Sequence, residues 1–221
     1  MRKWFKKTKI EYPTFWNSYK SYFDKENLNI PLKDVTFVVL DTETTGFNYT
    51  HDRMLCIGAV KLRGNLIDVG SSFELYIDQT AFNPDSVEIH GIMKNTQFEK
   101  VSETKALREF LAYLKDSVIV AHHTYFDVTM INRALERNGL PYLLNQTLDT
   151  GHLFKKTKAI NRLLQNDRGY SLDDVCKELN IPIKDRHTAA GDAMLTAQAF
   201  LKILARLKFK PASSLKSLIR K

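Results

Sequence analysis

Between Val38 and Phe47 the chain reads VVLDTETTGF: an unbroken apolar run, then Asp41, then Glu43 two residues further on. The run predicts a buried strand over Val35–Asp41. Side chains at i and i+2 of a strand point to the same face. Asp41 and Glu43 therefore project together from the strand's C-terminal end, where open α/β sheets hold their ligands. Two carboxylates at such a place repel each other and resist leaving water unless positive charge joins them. A chain with this stretch has to cover a sheet and also bring a cation to its edge.

The remaining pattern supplies the sheet. Residues 53–77 read as two strands joined at Gly64-Asn65, an antiparallel hairpin. Ser102 caps an expected helix reaching Asp116, with Leu107, Phe110, Leu111 and Leu114 on one face. SVIVAHH (117–123) reads as a short buried strand. It feeds a helix over Asp127–Asn138 that stops at Gly139-Leu140-Pro141. A brief strand near Thr147–Thr150, a Ser171-capped helix through Leu179 and a long helix over Ala189–Leu207 complete the chain. Antiparallel strands followed by alternating helices and strands predict an α/β fold, a mixed sheet with helices on its faces. Residues 1–33 are set apart by both tryptophans, Trp4 and Trp16, and by six further aromatics. Trp16, Tyr19 and Phe23 recur at helical spacing, which favours a helix packed on the domain over one that docks a partner or a membrane surface.

The net charge of +8 is uneven: residues 1–34 carry +4, residues 193–221 carry +7, and the stretch between carries −3. Basic flanks suit a polyanion such as nucleic acid, and serve solubility equally well. An acidic centre suits carboxylates that await metal. No apolar run approaches the ~20 residues a membrane span needs, and no apolar segment follows the basic N-terminus as a secretory signal requires. Cys56 and Cys176 are too far apart to suggest a disulfide framework or a zinc cluster, so a reducing cytoplasm is the expected location and no membrane the expected partner.

Carboxylates recur in two further places. Asp127 follows the apolar run of VIVAHHTYFD, and Asp192 sits in HTAAGDAM, behind His187 and the small residues Ala189, Ala190 and Gly191. Taken singly, a D-x-E triplet carries little, Asp127 is a residue the helix dipole favours, and Asp192 pairs with a lysine. In order they spell Asp-x-Glu, Asp, and His-x4-Asp. This series resembles the DEDD superfamily of 3′–5′ exonucleases in its histidine branch, which includes the epsilon proofreading subunit of bacterial DNA polymerase III and ribonuclease T. The likeness spans residues 35–207. DTETTG, AHHTYFD and HTAAGDA match its three blocks, with His123 where many members carry Asn, and IHGI (89–92), LDT (148–150) and YSLDDVC (170–176) are lesser matches.

The resemblance implies a ribonuclease H-like sheet, its first three strands antiparallel and the rest parallel. With the aromatic spacing and the charge of the flanks, this gives an expected exonuclease domain over 34–208, between a helical, basic N-terminal extension (1–33) and a basic C-terminal tail (209–221). The resemblance makes Asp41, Glu43, Asp127 and Asp192 ligands of two Mg²⁺ or Mn²⁺ ions. Four negative charges balance two such ions, and oxygen ligands suit them. It makes His187 the general base, Glu43 a further member of the catalytic set, and Thr44, Thr45, Gly46, Phe47, His90 and Phe126 the contacts of the 3′-terminal nucleotide. Imidazole titrates near ~6.5 when unperturbed, which suits a base at neutral pH. The expected activity is metal-dependent release of nucleoside 5′-monophosphates from the 3′ end of single-stranded or 3′-ended nucleic acid. DNA is expected first, in proofreading or repair, with a DNA polymerase subunit as a further partner. The alternatives are RNA 3′-end trimming and a non-catalytic polymerase-docking or nucleic-acid-binding subunit. His122 and His152 are expected to be structural.

Overall fold

A computed structural model describes residues 11–24, 27–81, 83–92, 98–158 and 169–220. The expectations for Trp4 and Phe5 lie outside them. One six-stranded sheet runs through the molecule in the order β4-β3-β2-β1-β5-β6. The strands are β1 (Thr36–Thr44), β2 (Met54–Arg63), β3 (Leu66–Ile77), β4 (Lys100–Val101), β5 (Val118–Ala121) and β6 (Thr147–Asp149). β1, β2 and β3 pair antiparallel, whereas β5 joins β1, β6 joins β5 and β4 joins β3 in parallel. The expected antiparallel-then-parallel sheet is the one observed, with the two-residue β4 added at the far edge. The hairpin turns at Gly64, whose φ of +59° is costly for residues with a Cβ.

Among the described residues eight α-helices cover the sheet: α1 (Thr14–Ser21), α2 (Pro84–His90), α3 (Glu103–Leu114), α4 (Tyr125–Arg137), α5 (Thr150–Thr157), α6 (Leu172–Glu178), α7 (Ala189–Arg206) and α8 (Leu215–Ile219). The pleat of β1 separates two cores. Phe37 and Val39 face α5, α6, α7 and α8, while Val38 and Leu40 face α1, α3 and α4. Both faces of β1 are therefore dry, which is why its sequence is continuously apolar rather than alternating. Trp16 and Tyr19 are buried in the second core, and the Tyr19 hydroxyl bridges Asn145 Oδ1 (2.6 Å) and the Leu144 N–H (2.8 Å). Leu215 and Leu218 are buried in the first. Residues 11–24 and 209–220 thus pack into the same two cores as the rest of the chain. Among the described residues no helix is long and apolar enough to cross a membrane.

Sequence reading missed α2, β4, α5 and α8. All are short, and β4 is held by its neighbour rather than by its own pattern. Their caps were nonetheless legible: Asn83 accepts from the Asp85 N–H, Asp149 from the His152 N–H and Ser214 from the Ser217 N–H. One contact decides where the carboxylates meet. A Cβ built on Gly58 of β2 would stand 2.2 Å from the Ala189 carbonyl carbon, so helix backbone lies directly on strand backbone there. Gly191 is equally confined, since a Cβ built on it would collide with the Asp185 carbonyl oxygen. Gly58→Ala should cost about 3 kcal/mol in urea denaturation. A variant that unfolded at the parent's urea concentration would show that the seam tolerates separation.

Candidate active site

The seam between α7 and β2 sets the site. Asp41 and Glu43 pair across β1 with Gly58 and Cys56, so both lie over the strand on which α7 begins. Thr188 caps α7, accepting from the Gly191 N–H at 3.1 Å, and Asp192 follows in the first turn. One carboxylate oxygen each from Asp41, Glu43 and Asp192 lies within 4.8 Å of the others. Asp127 arrives from the opposite face of the sheet. It is buried at the start of α4, and its Oδ1 accepts from the Thr42 N–H (3.0 Å) and the Thr42 hydroxyl (2.7 Å). Thr42 thus ties the fourth acid to the strand that carries the first two.

The electrostatics show what this grouping lacks. Burial, then the charge of Asp127, then those of Glu43 and Asp192, push the Asp41 carboxyl well above the ordinary carboxylate range. Burial and the charges of Asp192 and Asp127 push Glu43 up to about 7. Burial pushes Asp127 up to about 7, against the pull of the Thr42 hydrogen bonds. Asp192 is 6% exposed, and its Oδ1 is buried with no hydrogen-bond partner. A clustered set of oxygen donors, short of positive charge and with one buried oxygen unpartnered, fits hard divalent cations such as Mg²⁺ or Mn²⁺.

Arg186 is the cation that the sequence reading overlooked. Its Nη1 donates to Asp192 Oδ2 and its Nε to Asp173 Oδ1 of α6, the latter at 2.6 Å. The neighbouring His187 is exposed, in the turn before α7 with φ of +63°, and here it faces solvent instead of the acids. His123, the departure from the Asn many DEDD exonucleases carry, also has φ of +63°, a conformation that Asn and His tolerate better than most residues. His122 is held between Thr150 Oγ1 (2.9 Å) and the Tyr170 carbonyl (2.8 Å), with burial lowering its pKa. His152 is exposed on α5.

The residues expected to meet a nucleotide divide into two groups. Thr44 and Thr45 are buried, and their hydroxyls are committed to the Gly46 carbonyl (2.8 Å) and to Asp52 Oδ1 (2.6 Å). Asp52 Oδ2 also accepts from the Asn48 N–H at 2.8 Å, and Asn83 donates to the Thr45 carbonyl at 2.9 Å. Gly46 lies so close that a Cβ there would sit 2.6 Å from Asp52 Oδ2. These bonds fix the loop after β1, so Asp52 and Asn83 belong with the site. His90 is buried at the end of α2, its Nδ1 accepting from the Ile92 N–H at 3.0 Å, and burial holds its pKa below the usual value. Phe47, by contrast, is 80% exposed, and its ring lies 5.7 Å from that of Phe126. Tyr49 and Tyr125 extend the group, with Tyr49 5.8 Å from Phe126 and 6.0 Å from Tyr125.

A sequence model of the family described as exonuclease, typified by ribonuclease T, matches residues 38–200. This chain belongs to that exonuclease family. Its relatives include a PolC-type DNA polymerase III of Thermotoga maritima, 36% identical over 79% of this chain and 12% of the relative. The DNA polymerase III subunit epsilon of Aquifex aeolicus is 29% identical over 81% of this chain and 85% of that subunit. This chain thus spans about an eighth of the length of the PolC-type relative. Exonuclease I of E. coli, solved in complex with a dA16 oligonucleotide, superposes with a TM-score of 0.69 at 18% identity, over 79% of this chain and 42% of that one. That likeness bears on the fold, and the ribonuclease H-like sheet expected from the sequence is the fold observed.

The raised carboxyls give the metal-free protein a definite pH dependence. Unfolded, these groups titrate in the ordinary acidic range, so between that range and about 7 the folded chain holds more protons. The stability they contribute is complete below about pH 4 and is lost as pH rises through 7. In EDTA the melting temperature should fall between pH 5 and 7.5, and saturating Mn²⁺ should remove that slope. An unchanged slope with Mn²⁺ would mean that the acids meet no cation.

Proposed function

We propose that this domain is a 3′–5′ exonuclease that hydrolyses terminal phosphodiester bonds with two divalent metal ions and releases nucleoside 5′-monophosphates. The observation that carries the reading is the meeting of Asp41, Glu43 and Asp192, with the buried Asp192 Oδ1 unpartnered. Asp41, Glu43, Asp127 and Asp192 hold the ions. Bound divalent metal supplies Lewis acidity and neutralises charge on the phosphate. His187 takes the proton of the attacking water once its side chain rotates to bring the ring over the acids; the exposure of His187 supports such a rotation.

Phe47 and Phe126, with Tyr49 and Tyr125, stack on terminal bases. Every base offers a π-face, so the arrangement suits removal of any nucleotide. A groove of about 340 Å³ lined by Tyr125, His152 and Lys156 supports a path for the strand behind its 3′ end. DNA is the substrate we favour, in replication or repair, because the relatives are named as DNA polymerase III chains. Those names also support a polymerase partner.

A 5′-labelled single strand incubated with Mg²⁺ should give a descending ladder that EDTA abolishes; matched DNA and RNA oligomers run side by side should favour DNA. Asp41→Asn should lose both Mn²⁺ binding and turnover. His187→Ala should keep Mn²⁺ binding and lose roughly 10²–10⁴-fold in rate. Full turnover by His187→Ala would remove its role as base, and an intact 5′-labelled strand would remove the activity.

A further inference from the structure

One guanidinium stands among four acids. Arg186 has a side-chain exposure of 20%, and it bonds two carboxylates at once, Asp192 through Nη1 and Asp173 through Nε. The two partners differ. Asp192 is buried in the cluster, whereas the Asp173 side chain, in the first turn of α6, is 54% exposed. The backbone on both sides of Arg186 is fixed: Asp185 and His187 are left-handed, with φ of +53° and +63°, and the Asp185 carbonyl lies against Gly191. The side chain is therefore delivered to Asp192 by a turn that cannot easily shift, and its freedom lies in the guanidinium end.

A single positive charge leaves the cluster short of neutrality, and Asp192 Oδ1 keeps no partner beside it. A divalent ion taking the oxygens of Asp41, Glu43 and Asp192 has to compete with Arg186 for Asp192. Asp173 offers the arginine an exposed partner to keep when it yields. We propose that Arg186 is the resident counter-ion of the metal-free site, displaced from Asp192 when a divalent cation enters, with Asp173 keeping its Nε and taking up the Nη1 that Asp192 releases. The proposal rests on reading the acids as metal ligands, and it makes Asp173 a positioning residue that acts through Arg186.

Mn²⁺ titrated into the full chain, with the free ion followed by its paramagnetic resonance signal, tests both parts. Arg186→Gln should bind Mn²⁺ roughly tenfold tighter than the parent, because no charge-assisted bond has to be broken. It should melt below the parent in EDTA and level with it in saturating Mn²⁺. Asp173→Asn, which leaves Arg186 in place without its second partner, should bind Mn²⁺ several-fold more weakly. In the Arg186→Gln background the same change should have no effect. Unchanged Mn²⁺ affinity in Arg186→Gln, with an equal loss of melting temperature in EDTA and in Mn²⁺, would reduce Arg186 to a structural ion pair and overturn the proposal. A persistent effect of Asp173→Asn in the double variant would overturn the positioning role of Asp173. Failure of both the parent and Arg186→Gln to take up Mn²⁺ would instead sink the underlying assignment of the acids as metal ligands.

Discussion

Backbone meets backbone where α7 starts across β2. Gly58 and the backbone of Ala189 and Ala190 leave no side chain between them, and α7 comes down far enough to place Asp192 beside Asp41 and Glu43. A helix on a sheet ordinarily stands off by the thickness of two layers of side chains, about 10 Å. At that distance a short aspartate would not reach acids rooted in the strand. The seam is thus the constraint on which the geometry of the site depends. The apolar remainder of α7, through Phe200 and Ile203 in the first core, holds the helix in that place.

Such closeness stores electrostatic cost. Burial raises Asp41, Glu43 and Asp127, and neighbouring carboxylates raise Asp41 and Glu43 further. Three devices contain it. Thr42 donates twice to Asp127, Arg186 donates to Asp192, and the protons that the raised carboxyls retain lower the remaining charge. None of these fills the group: Asp192 Oδ1 is still unpartnered. The fold therefore keeps a defined deficit of positive charge at one end of its sheet, and that deficit supports the proposed divalent-cation site there.

The loop after β1 and the start of α4 build the other half. Asp52 gathers Thr45 and Asn48 around Gly46, which leaves Phe47 no interior to enter, and its ring instead rests on Phe126. Large exposed aromatics on a rigid base are unusual in a surface without a partner. Their position after β1 and at the start of α4, next in sequence to the acids, supports the proposal that they stack on bases.

The sequence by itself determined the sheet, the long helix, the family and the identity of the clustered acids. Apolar periodicity and cap residues are local, and the acids sit at fixed offsets from strand ends. It also placed His187 and Asp192 on one helix entry. It did not disclose that Arg186, one residue before His187, turns inward while the histidine turns out, because two left-handed residues around the arginine decide those directions. Nor did it disclose that Gly58 is the point of closest approach, that Thr42 holds Asp127, or that Asp52 and Asn83 organise the loop around Gly46. Most of these couple residues far apart along the chain: Asp127 with Thr42 spans 85 positions and Asn83 with Thr45 spans 38. Pattern records which face a residue presents; only packing decides which distant group that face meets, and there the tertiary structure alone decided.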